Sequence, residues 1–186
     1  MLSQLNDFKP VGQETYRFNN VFMAITKKCA LQCEHCFEWD SLNKKENLST
    51  PDLIEIVHRL QKQGVSEIQF SGGEPLIKVD RIIDILNAAD KNSTTFWIDT
   101  SGFKFTEESA KRLKSAGLTG VYVSIDHFDP ALHNRFRDFK DAFFWAETAV
   151  KNALEQGLVV SLSVCITREF ASRENLKRYM EMAKNM

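Results

Sequence analysis

Several features that would point to a particular partner are missing from this 186-residue sequence. The formal net charge is -1, so neither a nucleic acid nor an anionic membrane surface would attract the chain electrostatically, and we expect no partner of either kind. No apolar run reaches the roughly 18 residues that a membrane-spanning helix needs. Residues 1–9 lack the basic region and apolar core of a signal peptide. We therefore expect a cytoplasmic protein.

Cysteine is scarce, and its four copies are unevenly placed. Three of them, Cys29, Cys33 and Cys36, stand close together, and Cys165 stands alone. The tight spacing and the lack of an export signal exclude a disulfide framework, so we expect free thiols in a reducing compartment. The isolated Cys165 falls in an apolar run, which predicts a small buried side chain.

The three grouped cysteines form the strongest motif of the chain. They follow a short apolar run at 21–26, so we expect them on the loop after a buried strand, where α/β folds place their chemistry. Soft thiolates suit an iron–sulfur cluster and zinc alike. A zinc site would need His35 or a distant residue as fourth ligand, and His35 is next to Cys36, which makes joint ligation awkward. The motif therefore favours a cluster with one iron left open.

Strand-like and helix-like segments alternate along the rest of the chain, with no hairpin signal between them. This alternation predicts an α/β fold with parallel strands and right-handed helical crossovers, in one domain that follows a lead-in at 1–20. The strand-to-helix loops hold the cysteines, Asp99, Asp126 and Arg135, which marks the functional face. The predicted strands cover 21–26, 66–70, 95–98, 120–125 and 158–166, and the predicted helices cover about 50–63, 82–89, 106–115, 142–156 and 172–186.

The second strand runs into Gly72, Gly73, Glu74 and Pro75. Glycines let a backbone approach a ligand closely, and carbonyl groups together with Glu74 would suit an ammonium group. The alternative is an ordinary turn in which Glu74 stands at the start of a helix.

The cysteine spacing and this Gly-Gly-Glu-Pro turn, in the same order and in successive loops, resemble the radical SAM superfamily. The resemblance implies a partial TIM-like (β/α) barrel. It also implies that Cys29, Cys33 and Cys36 hold a 4Fe–4S cluster whose open iron chelates the amino and carboxylate groups of S-adenosylmethionine. The residues at 72–75 would contact the methionine ammonium group, and His35 and Phe37 would lie beside the adenine.

Weaker matches extend the resemblance along the chain. Ser124 and Asp126 stand where the family has a Ser-x-Asp strand end, and they are candidate contacts to the ribose or the carboxylate. Arg137 is a candidate partner of the carboxylate, because a guanidinium pairs with a carboxylate through two hydrogen bonds. The alternatives are strand-end caps and a solvated basic run. Residues 100–102, Thr-Ser-Gly, stand where many members have Thr-Asn-Gly.

The nearest branch of the family modifies peptides or cofactor precursors and often carries a SPASM-type extension. The sequence differs from that branch in three ways. His127 stands where a glycine is common, no C-terminal cysteines are present for auxiliary clusters, and five βα units are found where six are expected. We therefore expect residues 21–186 to form a radical SAM core that is incomplete at its C-terminal end.

The resemblance implies reductive cleavage of S-adenosylmethionine to a 5′-deoxyadenosyl radical, which abstracts a hydrogen atom from a small-molecule or peptide substrate. An external donor such as a flavodoxin or ferredoxin would supply the electron. Two alternatives remain: a truncated, non-catalytic iron–sulfur or S-adenosylmethionine-binding module that needs a partner chain, and a zinc-binding structural domain. Trp39, His127 and Phe128 would line the substrate pocket, or would only pack.

Overall fold

A computed structural model describes residues 18–186. Its five strands form one sheet in the order β1-β2-β3-β4-β5, and every neighbouring pair is parallel. A short 3₁₀ helix, Pro75–Lys78, follows β2. The strands are β1 Asn20–Thr26, β2 Glu67–Gly72, β3 Thr95–Thr100, β4 Gly120–Ser124 and β5 Val159–Ser163; the helices are α1 Thr50–Lys62, α2 Val79–Ala88, α3 Glu107–Ala116, α4 Pro130–Phe136, α5 Ala142–Glu155 and α6 Arg173–Asn185.

The sheet agrees with the predicted fold class. Sequential strands that are all parallel need a crossover between each pair, and helices supply these crossovers, as the alternation predicts. Residues 1–17 of the predicted lead-in lie outside the described residues, and Asn20 already begins β1. None of the helices within residues 18–186 has the length and apolar character to cross a membrane.

Two segments differ from the sequence prediction. The stretch after β4, predicted as a long polar loop, contains α4. This helix has only seven residues and no apolar periodicity, and Asp129 caps it by accepting hydrogen bonds from the Ala131 and Leu132 amides. The last strand, predicted over 158–166, ends at Ser163.

The two faces of the sheet differ in composition. On the outer face, the side chains pack into one apolar core with residues of the helices, such as Ile82, Leu86 and Leu113. Burying each large apolar side chain stabilises the fold by about 1.5–3 kcal/mol. The strand residues that are fully excluded from solvent on this face are Ile68, Phe70, Phe96, Ile98, Val121 and Val123.

Candidate functional site

The cysteine loop leaves the carboxyl end of β1 and is held by Asn43. The Asn43 side-chain oxygen accepts a hydrogen bond from the Cys29 amide, and its Nδ2 donates to the Cys29 carbonyl, both at 3.2 Å. The Asn43 amide donates to the Lys27 carbonyl at 2.8 Å. Asn43 has a φ of 59°, a left-handed conformation that asparagine tolerates better than most residues. Sequence reasoning missed this residue.

A partly buried ion pair supports the start of the same loop. Glu46 accepts hydrogen bonds from the Thr26 hydroxyl and, at 3.1 Å, from the Lys27 amide. Arg81 on α2 lies 3.4 Å from Glu46 and donates to the Ile25 carbonyl at 2.7 Å. Burial alone would raise the pKa of Glu46, but these hydrogen bonds and the charge of Arg81 together lower it. The carboxylate therefore stays ionised and anchors the end of β1.

A cavity of about 590 Å³ lies where the segments following all five strands meet. Every residue that the sequence predicted as a cluster ligand or cofactor contact lines it except Pro75, which is buried in the 3₁₀ helix. The nominated residues along its wall are Cys29, Cys33, His35, Cys36, Phe37, Gly72, Gly73, Glu74, Ser124, Asp126 and Arg137.

The glycine pair packs against the backbone that leads into the cysteine loop. A Cβ atom on Gly72 would lie 2.4 Å from the Thr26 carbonyl oxygen, and one on Gly73 would lie 2.3 Å from the Lys28 carbonyl oxygen. The Gly73 and Glu74 amides donate hydrogen bonds to these same two carbonyls, at 2.8 and 2.7 Å. Glycine is therefore required because two loops of the site touch, backbone against backbone.

The Glu74 side chain points into the protein, where donors surround it. Its Oε1 accepts hydrogen bonds from the Thr100 hydroxyl at 2.8 Å and the Leu76 amide at 3.1 Å. Its Oε2 accepts from the Ser101 amide at 2.9 Å and the Ser101 hydroxyl at 2.6 Å. Burial raises the pKa of Glu74, and the four hydrogen bonds oppose that rise. Glu74 thus ties the end of β2 to the end of β3 and starts the 3₁₀ helix.

Asp126 and Arg137 form a buried pair beside Cys33. Arg137 Nε donates to Asp126 Oδ2 at 2.6 Å, and its Nη1 lies 3.7 Å from Cys33 Sγ. Asp126 Oδ1 accepts from the Cys165 amide at 2.9 Å. Burial raises the pKa of the Cys33 thiol, and the positive charge of Arg137 opposes that shift. The guanidinium therefore favours a thiolate at Cys33, the form that binds iron.

Two further buried residues fix Asp126, and sequence reasoning assigned a role to neither. The Asp126 amide donates to His133 Nδ1 at 3.1 Å, and the Tyr179 hydroxyl donates to the neighbouring Ile125 carbonyl at 2.7 Å. Burial, with the charge of Arg137, lowers the pKa of His133 to about 4. The imidazole is therefore neutral and accepts a hydrogen bond, so it is not an ionic partner of the Asp126 carboxylate 3.9 Å away.

The aromatic candidates divide between two places. The His35 ring stacks on Phe136 of α4 with centroids 4.6 Å apart and an interplanar angle of 3°. Phe37 is 86% exposed at the mouth of the cavity. His127 and Phe128 line a neighbouring cavity of about 480 Å³, which also shares Asp126 with the first cavity.

Of the two remaining candidates, Trp39 lies outside both cavities and Cys165 lines both of them. Trp39 is 54% exposed and lines neither of them. The prediction for Cys165 is wrong, because it lies two residues beyond the end of β5, is only partly buried and lines both cavities. Its apolar neighbours in sequence hid this position, since the strand ends earlier than the apolar run does.

The three motif cysteines share one wall of the cavity. All three are free thiols on one cavity wall, and burial raises the pKa of Cys29 to about 11. Within residues 18–186, no three His, Cys, Asp or Glu side chains lie close enough together to hold one metal ion. A cubane cluster does not need that proximity, because each thiolate binds a different iron atom. The residues therefore fit a 4Fe–4S cluster.

Known proteins show the same combination of sequence and fold. The radical SAM superfamily profile matches residues 23–183. A probable GTP 3′,8-cyclase from Methanocaldococcus jannaschii is 33% identical over 156 residues, which cover 83% of this chain and 50% of that protein. An Fe-coproporphyrin III synthase from Methanosarcina barkeri is 32% identical, with 78% and 36% covered. The structure of Streptococcus suis SuiB bound to its precursor peptide SuiA superposes with a TM-score of 0.71 at 18% identity, covering 90% of this chain and 37% of SuiB.

The chain belongs to the radical SAM superfamily. The predicted family, partial-barrel fold class and cofactor pair, a 4Fe–4S cluster with S-adenosylmethionine, are thereby confirmed at the level of the superfamily. The chain spans half the length of the cyclase and about a third of the synthase.

Proposed function

We propose that this chain carries out the initiating chemistry of a radical SAM enzyme on a small-molecule or peptide substrate. The observation that carries the proposal is the meeting of the three cysteines and the Gly72–Gly73 turn on one cavity, joined backbone to backbone. When bound, the cluster and S-adenosylmethionine supply a 5′-deoxyadenosyl radical that abstracts a hydrogen atom from the substrate.

The residues around the cavity would then have separate roles. Cys29, Cys33 and Cys36 would hold the cluster, and the turn at 72–73 would present its carbonyl groups to the ammonium group of S-adenosylmethionine. Glu74 would act indirectly, because its four hydrogen bonds hold that turn against the end of β3.

The other side of the cavity would receive the rest of the cofactor. Arg137, held by Asp126, places a positive charge beside Cys33, where it would stabilise the thiolate and pair with a carboxylate. Ser124, at the end of β4, would contact the ribose, and His35 and Phe37 would lie beside the adenine. These assignments, and the division into 1–20 and 21–186, stay predictions.

The substrate and electron donor belong to the same proposal. SuiB was solved with a precursor peptide, and this likeness supports a peptide as one substrate class, beside small molecules. We propose an external one-electron donor such as a flavodoxin or ferredoxin, and a cytoplasmic setting in which the four free thiols would stay reduced.

The test is anaerobic reconstitution with iron and sulfide, followed by reduction in the presence of S-adenosylmethionine and assay of 5′-deoxyadenosine. We expect about four irons per chain, the number in one cubane cluster, and product formation. A chain that binds zinc but assembles no cluster would overturn the proposal. A complete cluster without cleavage would favour the non-catalytic alternative.

Cys33→Ala and Cys165→Ala form a matched pair of variants for this test. Both residues line the cavity, but only Cys33 belongs to the motif. We expect Cys33→Ala to lose the cluster and the cleavage, and Cys165→Ala to keep its iron. Equal iron content and equal cleavage in the two variants would contradict the assignment of the ligands.

A further inference from the structure

The inner face of the sheet, opposite the apolar core, carries polar and aromatic side chains at the centre of the fold. Gln69 on β2 is in register with Trp97 on β3, and Asp99 on β3 is in register with Tyr122 on β4. Side chains alternate along a strand, so these residues point away from the fully buried Phe96.

Two atoms on this face are buried without a hydrogen-bond partner. Among the described residues 18–186, the only buried side-chain nitrogen or oxygen atoms that lack one are Trp97 Nε1 and Asp99 Oδ2. They lie two residues apart on one strand, and one is a donor while the other is an acceptor. An unsatisfied buried polar atom is costly, and native proteins satisfy most of them. The pair therefore offers one free donor and one free acceptor to a bound molecule.

The Trp97 and Tyr122 rings pack against each other and form an aromatic platform. The Trp97 and Tyr122 rings lie 4.9 Å apart between centroids at an angle of 32°. A Cβ atom on Gly120 would lie 2.5 Å from Trp97 Cζ3, so the indole occupies the space that any other residue at that position would need. The absence of a side chain at Gly120 thus leaves room for the indole ring over β4.

Asp99 is negatively charged, and within residues 18–186 it forms no ion pair with a basic side chain. Asp99 lines the large cavity. Of the other charged groups on the described wall, Glu74 accepts four hydrogen bonds and Asp126 is paired with Arg137. Glu67 on β2, in register with Thr95, accepts hydrogen bonds from the Gln69 and Asn20 side-chain amides through one oxygen. Burial, together with the charge of Glu67, raises the pKa of Asp99 to about 6, so Asp99 is anionic at neutral pH.

We propose that Asp99 binds a positively charged nitrogen of the substrate, an ammonium or guanidinium group, and that Trp97 Nε1 donates to an acceptor on the same molecule. The cation would lie against the Trp97–Tyr122 platform, where the ring faces attract positive charge. Calling this ligand the substrate rests on the proposed function; the binding of a cation at Asp99 does not.

The test uses the full chain before reconstitution and n-propylguanidinium as the probe. The reporter is the indole N–H resonance of Trp97, assigned with Trp97→Phe. We expect a saturable shift of that resonance with propylguanidinium and none with uncharged butyramide. Asp99→Asn should bind the probe about tenfold more weakly or worse, as removal of a hydrogen bond to a charged group predicts. The exposed Asp84 on α2 provides the matched control, and Asp84→Asn should bind as the natural chain does.

Several outcomes would overturn the inference: no saturable shift, equal binding of butyramide, or equal affinity in Asp99→Asn. If Asp99→Asn does not fold, the pH dependence of binding by the natural chain provides a second test. Its affinity for propylguanidinium should rise as pH increases through about 6. The titratable groups that interact with Asp99 are Tyr122, in register with it on β4, and Glu67 on β2, whose charge helps to raise the pKa of Asp99. The rise should persist in Glu67→Gln, and its absence in the natural chain, or its loss in Glu67→Gln, would contradict the assignment to Asp99.

This test and the test of the proposed function fail separately. Cation binding is measured without cluster or S-adenosylmethionine, and 5′-deoxyadenosine is assayed without the probe. A chain that binds propylguanidinium through Asp99 but cleaves nothing would overturn the proposed function alone. A chain that cleaves S-adenosylmethionine but does not bind the probe would overturn this inference alone.

Discussion

The outer and inner faces of the same strands are built by different rules. On β3, Phe96 and Ile98 point outward and are fully excluded from solvent among other apolar side chains. Trp97 and Asp99, which alternate with them, point inward, and among the residues that the structure describes neither Trp97 Nε1 nor Asp99 Oδ2 has a hydrogen-bond partner. One strand thus contributes stability on one side and unsatisfied hydrogen-bonding capacity on the other.

This difference indicates where a ligand is expected. A protein interior tolerates few unpaired polar atoms, and those that persist need a specific explanation. The outer face has no such atoms among the residues that the structure describes, and apolar packing explains the residues found there. Within residues 18–186, the inner face carries two unpaired polar atoms, for which a bound ligand would supply hydrogen-bond partners. The predictions that follow test this contrast from the largest expected effect to the smallest.

Removing an aromatic ring from the outer face should cause the largest loss in the free energy of unfolding. Phe96 has no exposed surface and stacks on Phe70 with centroids 5.8 Å apart. We expect Phe96→Ala to lower the free energy of unfolding by about 3–5 kcal/mol, through lost burial and the cavity that remains. Trp97→Phe, one residue along on the inner face, should cost about 1 kcal/mol, since it replaces one partly buried ring with another. Urea unfolding measures the loss in each variant. Equal losses would contradict the proposed difference in stability between the outer and inner faces.

Glu74 is the polar residue that behaves like part of the core. Glu74→Ala leaves four buried donors on Thr100, Ser101 and Leu76 without an acceptor. We expect a loss of about 3 kcal/mol in the free energy of unfolding, because unpaired buried donors are costly. Glu147→Ala, at an exposed position on α5, should change stability by less than about 0.5 kcal/mol. If the two variants unfolded at the same urea concentration, the Glu74 carboxylate would not be the tie between β2 and β3.

Much of the fold could be predicted because its signals are local. The alternation of strand-like and helix-like segments predicts the strands and most helices, and the spacing of Cys29, Cys33 and Cys36 predicts one loop. The short α4 was missed, since seven residues without apolar periodicity give no helical signal. The early end of β5 was missed because the apolar run continues past the last ladder hydrogen bonds.

The parts of the site that could not be predicted depend on contacts between distant residues. Arg137 lies beside Cys33 although 104 residues separate them, and Tyr179 reaches the Ile125 carbonyl across 54 residues. No local pattern records such pairs. The glycine pair was expected to make room for a ligand, but its tightest contacts are with the carbonyls of Thr26 and Lys28. A glycine shows that something approaches closely, and only the structure shows what.

Gly120 links the two faces, because it makes room for an inner-face ring. A Cβ there would meet both Trp97 Cζ3 and the Val159 carbonyl oxygen at 2.5 Å. We expect Gly120→Ala to lower the free energy of unfolding by about 1–3 kcal/mol through overpacking. In a double-mutant cycle with Trp97→Ala, part of that loss should disappear, since residues in contact are not additive. Strictly additive losses would mean that the Trp97 ring is not what excludes a side chain at position 120.

Asp99 should give the smallest effect, and one that depends on pH. Its pKa is about 6 in the folded chain and its ordinary value is 3.8, so the folded state binds the proton more tightly. The stabilisation is fully present below about pH 4 and is lost as the pH rises through about 6, because the unfolded chain releases its proton first. Asp99→Asn does not titrate, so its stability relative to the natural chain should increase by about 1–2 kcal/mol between about pH 4 and pH 7, which allows for solvent screening of a partly exposed group. Carboxyl groups that do not interact with Asp99, such as Glu74, are common to both proteins and cancel in the difference, whereas the repulsion between Glu67 and Asp99 is part of the effect. Urea unfolding of both proteins at the two pH values measures it. A difference that stays constant with pH would mean that folding does not raise the pKa of Asp99. The two faces would then not differ in their electrostatics.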